Sequence, residues 1–183
     1  AVLVERSPEM AAFAQATLAQ PDNARIACRA EVLQADVALT GKARQEAGLA
    51  DNSFDHVIMN PPFNAQADRA TPDELKRLAH VMEGGLFESW LRSAAAVTRP
   101  RGGVCVIARP ESLGAILDAM GGRFGNTELI AEQPAIRIVV RAVRGARGKL
   151  AIRPPLILHE SGSDRFSAHA DRINNGLASL FGD

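Results

Sequence analysis

Apolar residues along this chain fall into short runs separated by polar, helix-compatible stretches. "AVLVE" is a run suited to a short buried strand, and "SPEMAAFAQATLAQ" follows with Ser7 at the N-cap, Pro8 at the first helical position and an alanine-rich body. "AEVLQADV" predicts a second strand ending at Asp36; a helical turn over Asn23 to Arg29 also fits the sequence, so the start of that strand stays open. "LTGKARQEAGLADNS" is a helical or irregular connection, and "FDHVIMN" is a third strand. A polar loop then leads to a helix signalled by Thr71 as N-cap, Pro72 behind it and Glu74 closing a capping box. A longer helix, Leu86 to Thr98, is stopped by "RPRGG", and "GVCVIAR" with "ESLGAILDAM" makes another strand–helix unit.

Beyond Gly122 the rhythm changes. "NTELIAEQP" and "AIRIVVRAVRG" are two strands with too little chain between them for a helix, which makes them an antiparallel pair. Strands joined by helices and closed by a hairpin predict an α/β fold: a largely parallel sheet covered on both faces, with an antiparallel strand near one edge. The segment 161–183 starts polar and Ser-rich and ends in a weakly amphipathic stretch compatible with a helix.

The 183 residues, 46% hydrophobic and 23% charged, are enough for one domain with a sizeable core. Cys28 and Cys105 form neither a disulfide framework nor a metal-site spacing, and no metal is expected. No run reaches the length of a membrane span and the start lacks signal-peptide character, so a cytoplasmic protein without a membrane partner is expected. Net charge is zero but unevenly spread: 123–153 holds seven Lys or Arg against two Glu.

Ligands of open parallel sheets bind beyond the carboxyl ends of the strands, where Glu5, Asp36 and Asn60 fall. An acidic residue at the position of Glu5 can accept hydrogen bonds from ribose hydroxyls; it can equally serve the positive end of the following helix, and Asp36 can equally form a turn. "NPPF", Asn60 to Phe63, is more specific, since chance supplies such a string in only about one chain of this size in a thousand. An amine conjugated to a ring or carbonyl is a poor nucleophile because its lone pair is delocalised. Alkylating it needs acceptors that hold its N–H groups and favour pyramidal geometry. The side-chain carbonyl of Asn60 and backbone carbonyls pinned by Pro61 and Pro62 are such acceptors, and Phe63 offers a face for stacking.

"VLVERSPEM", "LQADV", "FDHVIMNPPF" and "RPRGGVCVIAR", in that order, resemble the motifs of class I S-adenosylmethionine-dependent methyltransferases, and most closely the bacterial tRNA1(Val) adenine N6-methyltransferases. The resemblance implies a Rossmann-like methyltransferase domain over 1–160, with S-adenosyl-L-methionine as cofactor and RNA, tRNA in particular, as partner. It implies that Glu5, Arg6, Asp36, Val37 and Asn60 bind the cofactor and that Asn60, Pro61, Pro62 and Phe63 hold the target amine and its ring. Asn64 would lie over the target, and Arg144, Arg147 and Lys149 of "RAVRGARGK" would meet phosphates. An ordinary edge guarded by basic residues is the other reading of that hairpin.

In this family a strand and a Gly-x-Gly loop precede the acidic residue, whereas no such motif precedes Glu5. The expectation is an N-terminally incomplete domain lacking its first strand. The same motifs also occur in protein glutamine N5-methyltransferases, and a non-catalytic binding domain of this fold is a third reading.

Overall fold

The structure is a computed structural model that describes residues 1–61, 64–65, 81–82, 85–131 and 137–183. Pro62, Phe63 and the capping box at Thr71 lie outside the described residues, as does the side chain of Asn64.

Strand β1 (Val2–Glu5) leads into helix α1 (Pro8–Leu18), where the Ser7 hydroxyl accepts the backbone N–H of Met10 at 3.3 Å as the N-cap signal requires. A short helix α2 (Ala24–Ala27) precedes β2 (Glu31–Gln34), which stops two residues before Asp36. Helix α3 (Gly41–Glu46) occupies the connection to β3 (Phe54–Met59). The buried guanidinium of Arg44 ties that connection together by donating to the Leu49 carbonyl and the Asp51 carboxylate. Two-residue strands β4 (Asn64–Ala65) and β5 (Val81–Met82) pair with each other. Then come α4 (Leu86–Val97), β6 (Thr98–Ala108), α5 (Leu113–Met120), β7 (Phe124–Ala131), β8 (Ile138–Arg144), β9 (Ala151–Ile152) and α6 (Ala168–Asn174).

β1 pairs in parallel with β2, and β3 in parallel with β6; the predicted antiparallel hairpin is β7–β8. The order of the larger sheet is β3-β6-β8-β7-β9, so β8 inserts between β6 and β7 and is antiparallel to both. The antiparallel strand predicted near an edge is therefore interior, which its Ile138, Val140 and Ala142, all buried, make physically sensible. Among the described residues β1 pairs only with β2 and β3 only with β6, so the parallel strands form separate ladders. A cluster of Ala35, Leu49 and Val97, with Val4, Leu33 and Val57 against it, joins the smaller ladder to the larger.

One face of the larger sheet is the core. Val104, Val106, Ala108, Val140 and Ala142, each at most 1% exposed, alternate along β6 and β8 and pack under Phe87 and Leu91 of α4 and Ile116 and Met120 of α5. The opposite face departs from the expected two-sided cover. His56, Ile58, Cys105, Arg141 and Val143 line an open concavity of about 620 Å³ there, and Ile58 is 76% exposed. The C-terminal residues reach over it, with Phe181 stacked at 4.2 Å on the Arg141 guanidinium and Asp183 paired to it.

β6 starts earlier than the glycine pair suggested. Thr98 pairs with Phe54 and Gly103 with His56, so a bulge absorbs 99–102 and accommodates Pro100. Gly102 is needed in it, because a Cβ would fall 2.6 Å from the Asp55 carbonyl oxygen.

Candidate active site

The carboxyl ends of the parallel strands carry the residues expected to do chemistry. β1 ends on Glu5, in register with Gln34 of β2, and the backbone N–H of Ala35 donates to the Glu5 carbonyl at 3.0 Å, so the ladder runs on to the edge of Asp36. Oε1 of Glu5 accepts the Ser7 backbone N–H at 2.7 Å. That bond fixes the carboxylate at the start of α1 and leaves the second oxygen as an acceptor. Oδ1 of Asp36 accepts the Ala38 backbone N–H at 2.8 Å, and Oδ2 lies 3.9 Å from the Arg6 guanidinium. In each acid one oxygen thus serves the local backbone, the helix-start or turn use that the sequence allowed, and the second oxygen of Asp36 faces Arg6. Glu5, Arg6, Asp36 and the half-buried Val37 are brought together at one end of the β1–β2 ladder.

At the end of β3, Met59 is 7% exposed and Pro61 is fully buried, while Asn60 between them is exposed. The backbone is anchored on both sides of Asn60, and the residue itself is exposed. Anchoring of this kind fixes where the side chain leaves the backbone, so the loop itself need not be ordered on each encounter.

The basic hairpin is not beside Asn60. Val143 is level with Gly103, whereas Met59 is level with Val106, so Arg144 and the turn after it sit at the amino end of β3 and β6. The offset from Asn60 is about six strand residues, or roughly 20 Å at 3.3 Å per residue. Much of the local positive charge is also neutralised in place. Arg123 pairs with Glu88 at 2.5 Å, and Arg141 and Arg153 both bind Glu128, whose carboxyl is held below its ordinary range chiefly by the hydrogen bond from Arg141. Arg144 donates to the side chain of Asn52 and the carbonyl of Thr98, a structural tie between the sheet end and the β3 approach. Arg147 and Lys149 remain exposed. They share this end with Arg101, which in the sequence is one residue of a helix stop; its signal was an arginine wedged between Pro100 and two glycines, a place where backbone geometry is special. Its φ is +68°.

In the C-terminal segment the Ser167 hydroxyl donates to the Ile157 carbonyl at 2.6 Å and accepts the Ala170 N–H at 3.1 Å as the N-cap of α6. Among the described residues no helix is long and apolar enough to cross a membrane, and no group of three or more His, Cys, Asp or Glu is placed to hold a metal ion.

No family model matches the chain, and no curated protein does. Among solved structures, it is 44% identical to a predicted O-methyltransferase, protein Atu636 from Agrobacterium tumefaciens, over 98% of this chain and 78% of that one, with a TM-score of 0.81. The chain belongs to this methyltransferase family. A SAM dependent methyltransferase from Aquifex aeolicus is also similar at 18% identity, covering 78% of this chain and 68% of that one with a TM-score of 0.47. The fold of the methyltransferase is accordingly the Rossmann-like α/β arrangement expected from its motifs, with Glu5, Asp36 and Asn60 all at carboxyl strand ends.

Proposed function

We propose that this methyltransferase uses S-adenosyl-L-methionine to methylate the exocyclic N6 amine of an adenine in RNA, with tRNA as the substrate and the cytoplasm as the place of reaction. The observation that carries the reading is the outward-facing Asn60 between the buried Met59 and Pro61. That arrangement suits an acceptor for a conjugated amine, whose nitrogen must be held and made pyramidal before it can attack. The cofactor, when bound, supplies an electrophilic methyl group. The free oxygen of Glu5 is suited to its ribose hydroxyls, and Asp36 and Val37 to its adenine. Asn60 holds the target N–H groups through its side-chain carbonyl, and the backbone before Pro61 offers a second acceptor. Orientation does most of the work: the chain's own groups hold the amine by accepting its hydrogen bonds, and the proton that N6 sheds once it carries the methyl group passes to water.

The relative from Agrobacterium is described as a predicted O-methyltransferase, and transfer to a hydroxyl is the second reading. A hydroxyl acceptor calls for a base where an amine calls for a hydrogen-bond acceptor, and an Asn is an acceptor without being a base. The experiment is methyl transfer from labelled S-adenosylmethionine to tRNA, followed by digestion and nucleoside mass spectrometry. N6-methyladenosine, lost in Asn60→Ala while cofactor binding persists, is the expected result. Label on a ribose hydroxyl or on a protein glutamine, with none on adenine, overturns it.

A further inference from the structure

We infer that Arg101, Arg147 and Lys149 form a preformed phosphate-binding surface at the amino end of the sheet, and that the RNA substrate must be long enough to reach from it to Asn60. This rests on the RNA reading above. Arg101, Arg144, Arg147 and Asn126 line a concavity of about 460 Å³, and Arg101, Asn126 and Lys149 together line the edge of the larger concavity beside it, so the cations share one continuous rim. Among the described residues no carboxylate lines the smaller concavity. The nearby Asp55 is taken by Arg99 at 2.6 Å, and Arg144 by Asn52 and Thr98. The exposed Arg101, Arg147 and Lys149 therefore carry charge that the described residues around them do not use, in contrast to Arg123, Arg141 and Arg153 of the same region.

The rim is also tied to the strands. The backbone N–H of Asn126 donates to the Gly148 carbonyl at 3.1 Å, and that of Gly145 to the Arg123 carbonyl at 2.9 Å. The turn packs so closely on β7 that a Cβ on Gly125 would sit 2.2 Å from the Ala146 carbonyl oxygen, and one on Gly148 1.7 Å from the Asn126 side-chain oxygen. Arg101 and Asn126 both hold positive φ, at +68° and +50°. A solvated edge needs none of this precision; an anion site made from backbone turns and fixed cations does. The partner is a nucleic acid rather than a single nucleotide because of distance. Roughly 20 Å separates the rim from Asn60, which is about six base-pair steps at 3.4 Å each. The rim thus positions and the Asn60 end selects, the usual division between phosphate and base contacts.

The test uses fluorescence anisotropy with labelled bulk tRNA, titrated with KCl, on the wild type, the triple variant R101A/R147A/K149A and a charge-matched control R25A/R29A/R165A. Each phosphate that is no longer neutralised removes about 0.7–0.9 from the slope of log affinity against log salt, so the triple variant is expected to fall by about 2 in slope and the control not at all. In turnover, KM for tRNA should rise tenfold or more with kcat unchanged, while an adenine-containing dinucleotide, too short to bridge even when extended, should be used equally by wild type and variant. Thermal melts superimposable on wild type establish that the variant is folded; should they not be, the single charge reversal Arg147→Glu takes its place. An unchanged slope, an equal fall in the control, or the dinucleotide used as well as tRNA overturns the inference. Salt-dependent tRNA binding through the rim with no N6-methyladenosine formed overturns the assigned reaction instead and leaves the surface standing.

Discussion

Replacing Glu128 is the sharpest probe of how the sheet is held, because one carboxylate serves two arginines across three strands. Glu128 of β7 stands opposite Arg141 of β8, accepts its Nε at 3.0 Å and its Nη2, and also accepts Arg153 Nε at 2.7 Å and Nη2 just beyond β9. The side chain is 13% exposed, that of Arg141 28% and that of Arg153 48%. The exposed Arg153 pair is screened and worth at most about 1 kcal/mol. The Arg141 pair is more enclosed, and a charge-assisted hydrogen bond there contributes about 1.5–3 kcal/mol. Arg141 keeps Asp183 and the Phe181 ring after the substitution, which softens the loss. Glu128→Gln should then cost about 2–3 kcal/mol, a fall in Tm of roughly 4–12 °C for a chain of this size.

The pH dependence gives a second handle on the same residue. The Glu128 carboxyl is held low first by its hydrogen bond from Arg141, and against that by burial. A depressed folded pKa means stability that is complete above the unfolded value, about 4.3, and lost as pH falls through the folded one. Wild type should destabilise across that acid window more steeply than Glu128→Gln, so the gap between them should close as pH drops. Urea denaturation at pH 7 and at several points below 4.5 measures both effects. A cost under about 0.5 kcal/mol at neutral pH, or a gap that does not narrow in acid, would refute the reasoning.

Other perturbations have equally direct outcomes. Asn60→Ala should lower kcat by about two to three orders of magnitude with cofactor Kd unchanged, measured by single-turnover transfer and calorimetry; parallel loss of both would remove Asn60 from the acceptor role. Gly125→Ala pushes a methyl into the Ala146 carbonyl, so it should destabilise by about 1–3 kcal/mol and weaken tRNA binding as the turn shifts. Arg44→Met removes the donor to the Leu49 carbonyl and Asp51 from a buried site and should cost about 2 kcal/mol in denaturant unfolding. Burial raises the Cys105 thiol above its ordinary range while Cys28 is exposed, so iodoacetamide at pH 8 should label Cys28 first, read by peptide mass spectrometry.

Local chemistry made some of this legible in advance. Ser7 before Pro8 announced α1 because a hydroxyl acceptor and a missing N–H are what a helix start can use, and the structure uses them. The alternation in "GVCVIA" and "IVVRAVR" placed the strands because it repeats on any sheet surface. Strand order was not legible: nothing local to β7 or β8 says that the later strand lies inside the earlier one, since that is decided by which partner buries Val140 and Ala142 completely. The bulge at 99–102 was hidden for a related reason, with Pro100 and Gly102 reading as a helix stop when they are also the residues a bulged strand start needs.

The site divides along the same line. Asn60 was singled out through its immediate neighbours, and burial of Pro61 beside an exposed Asn60 is a local consequence of following a strand with a residue that has no N–H to satisfy. The basic hairpin was identifiable as charge but not as position. Charge counted along the chain treats Arg123, Arg141, Arg144 and Arg147 alike, whereas the fold gives the first two carboxylates, turns the third into a strut against Asn52, and leaves the fourth exposed at the rim. Arg101 joins Arg147 only because the β6 bulge and the β8 turn meet at the same end of the sheet. An antiparallel strand returns the chain to the amino end of its parallel neighbours, so cations that follow β8 must face away from Asn60; any substrate touching both has to span the length of the strands between them.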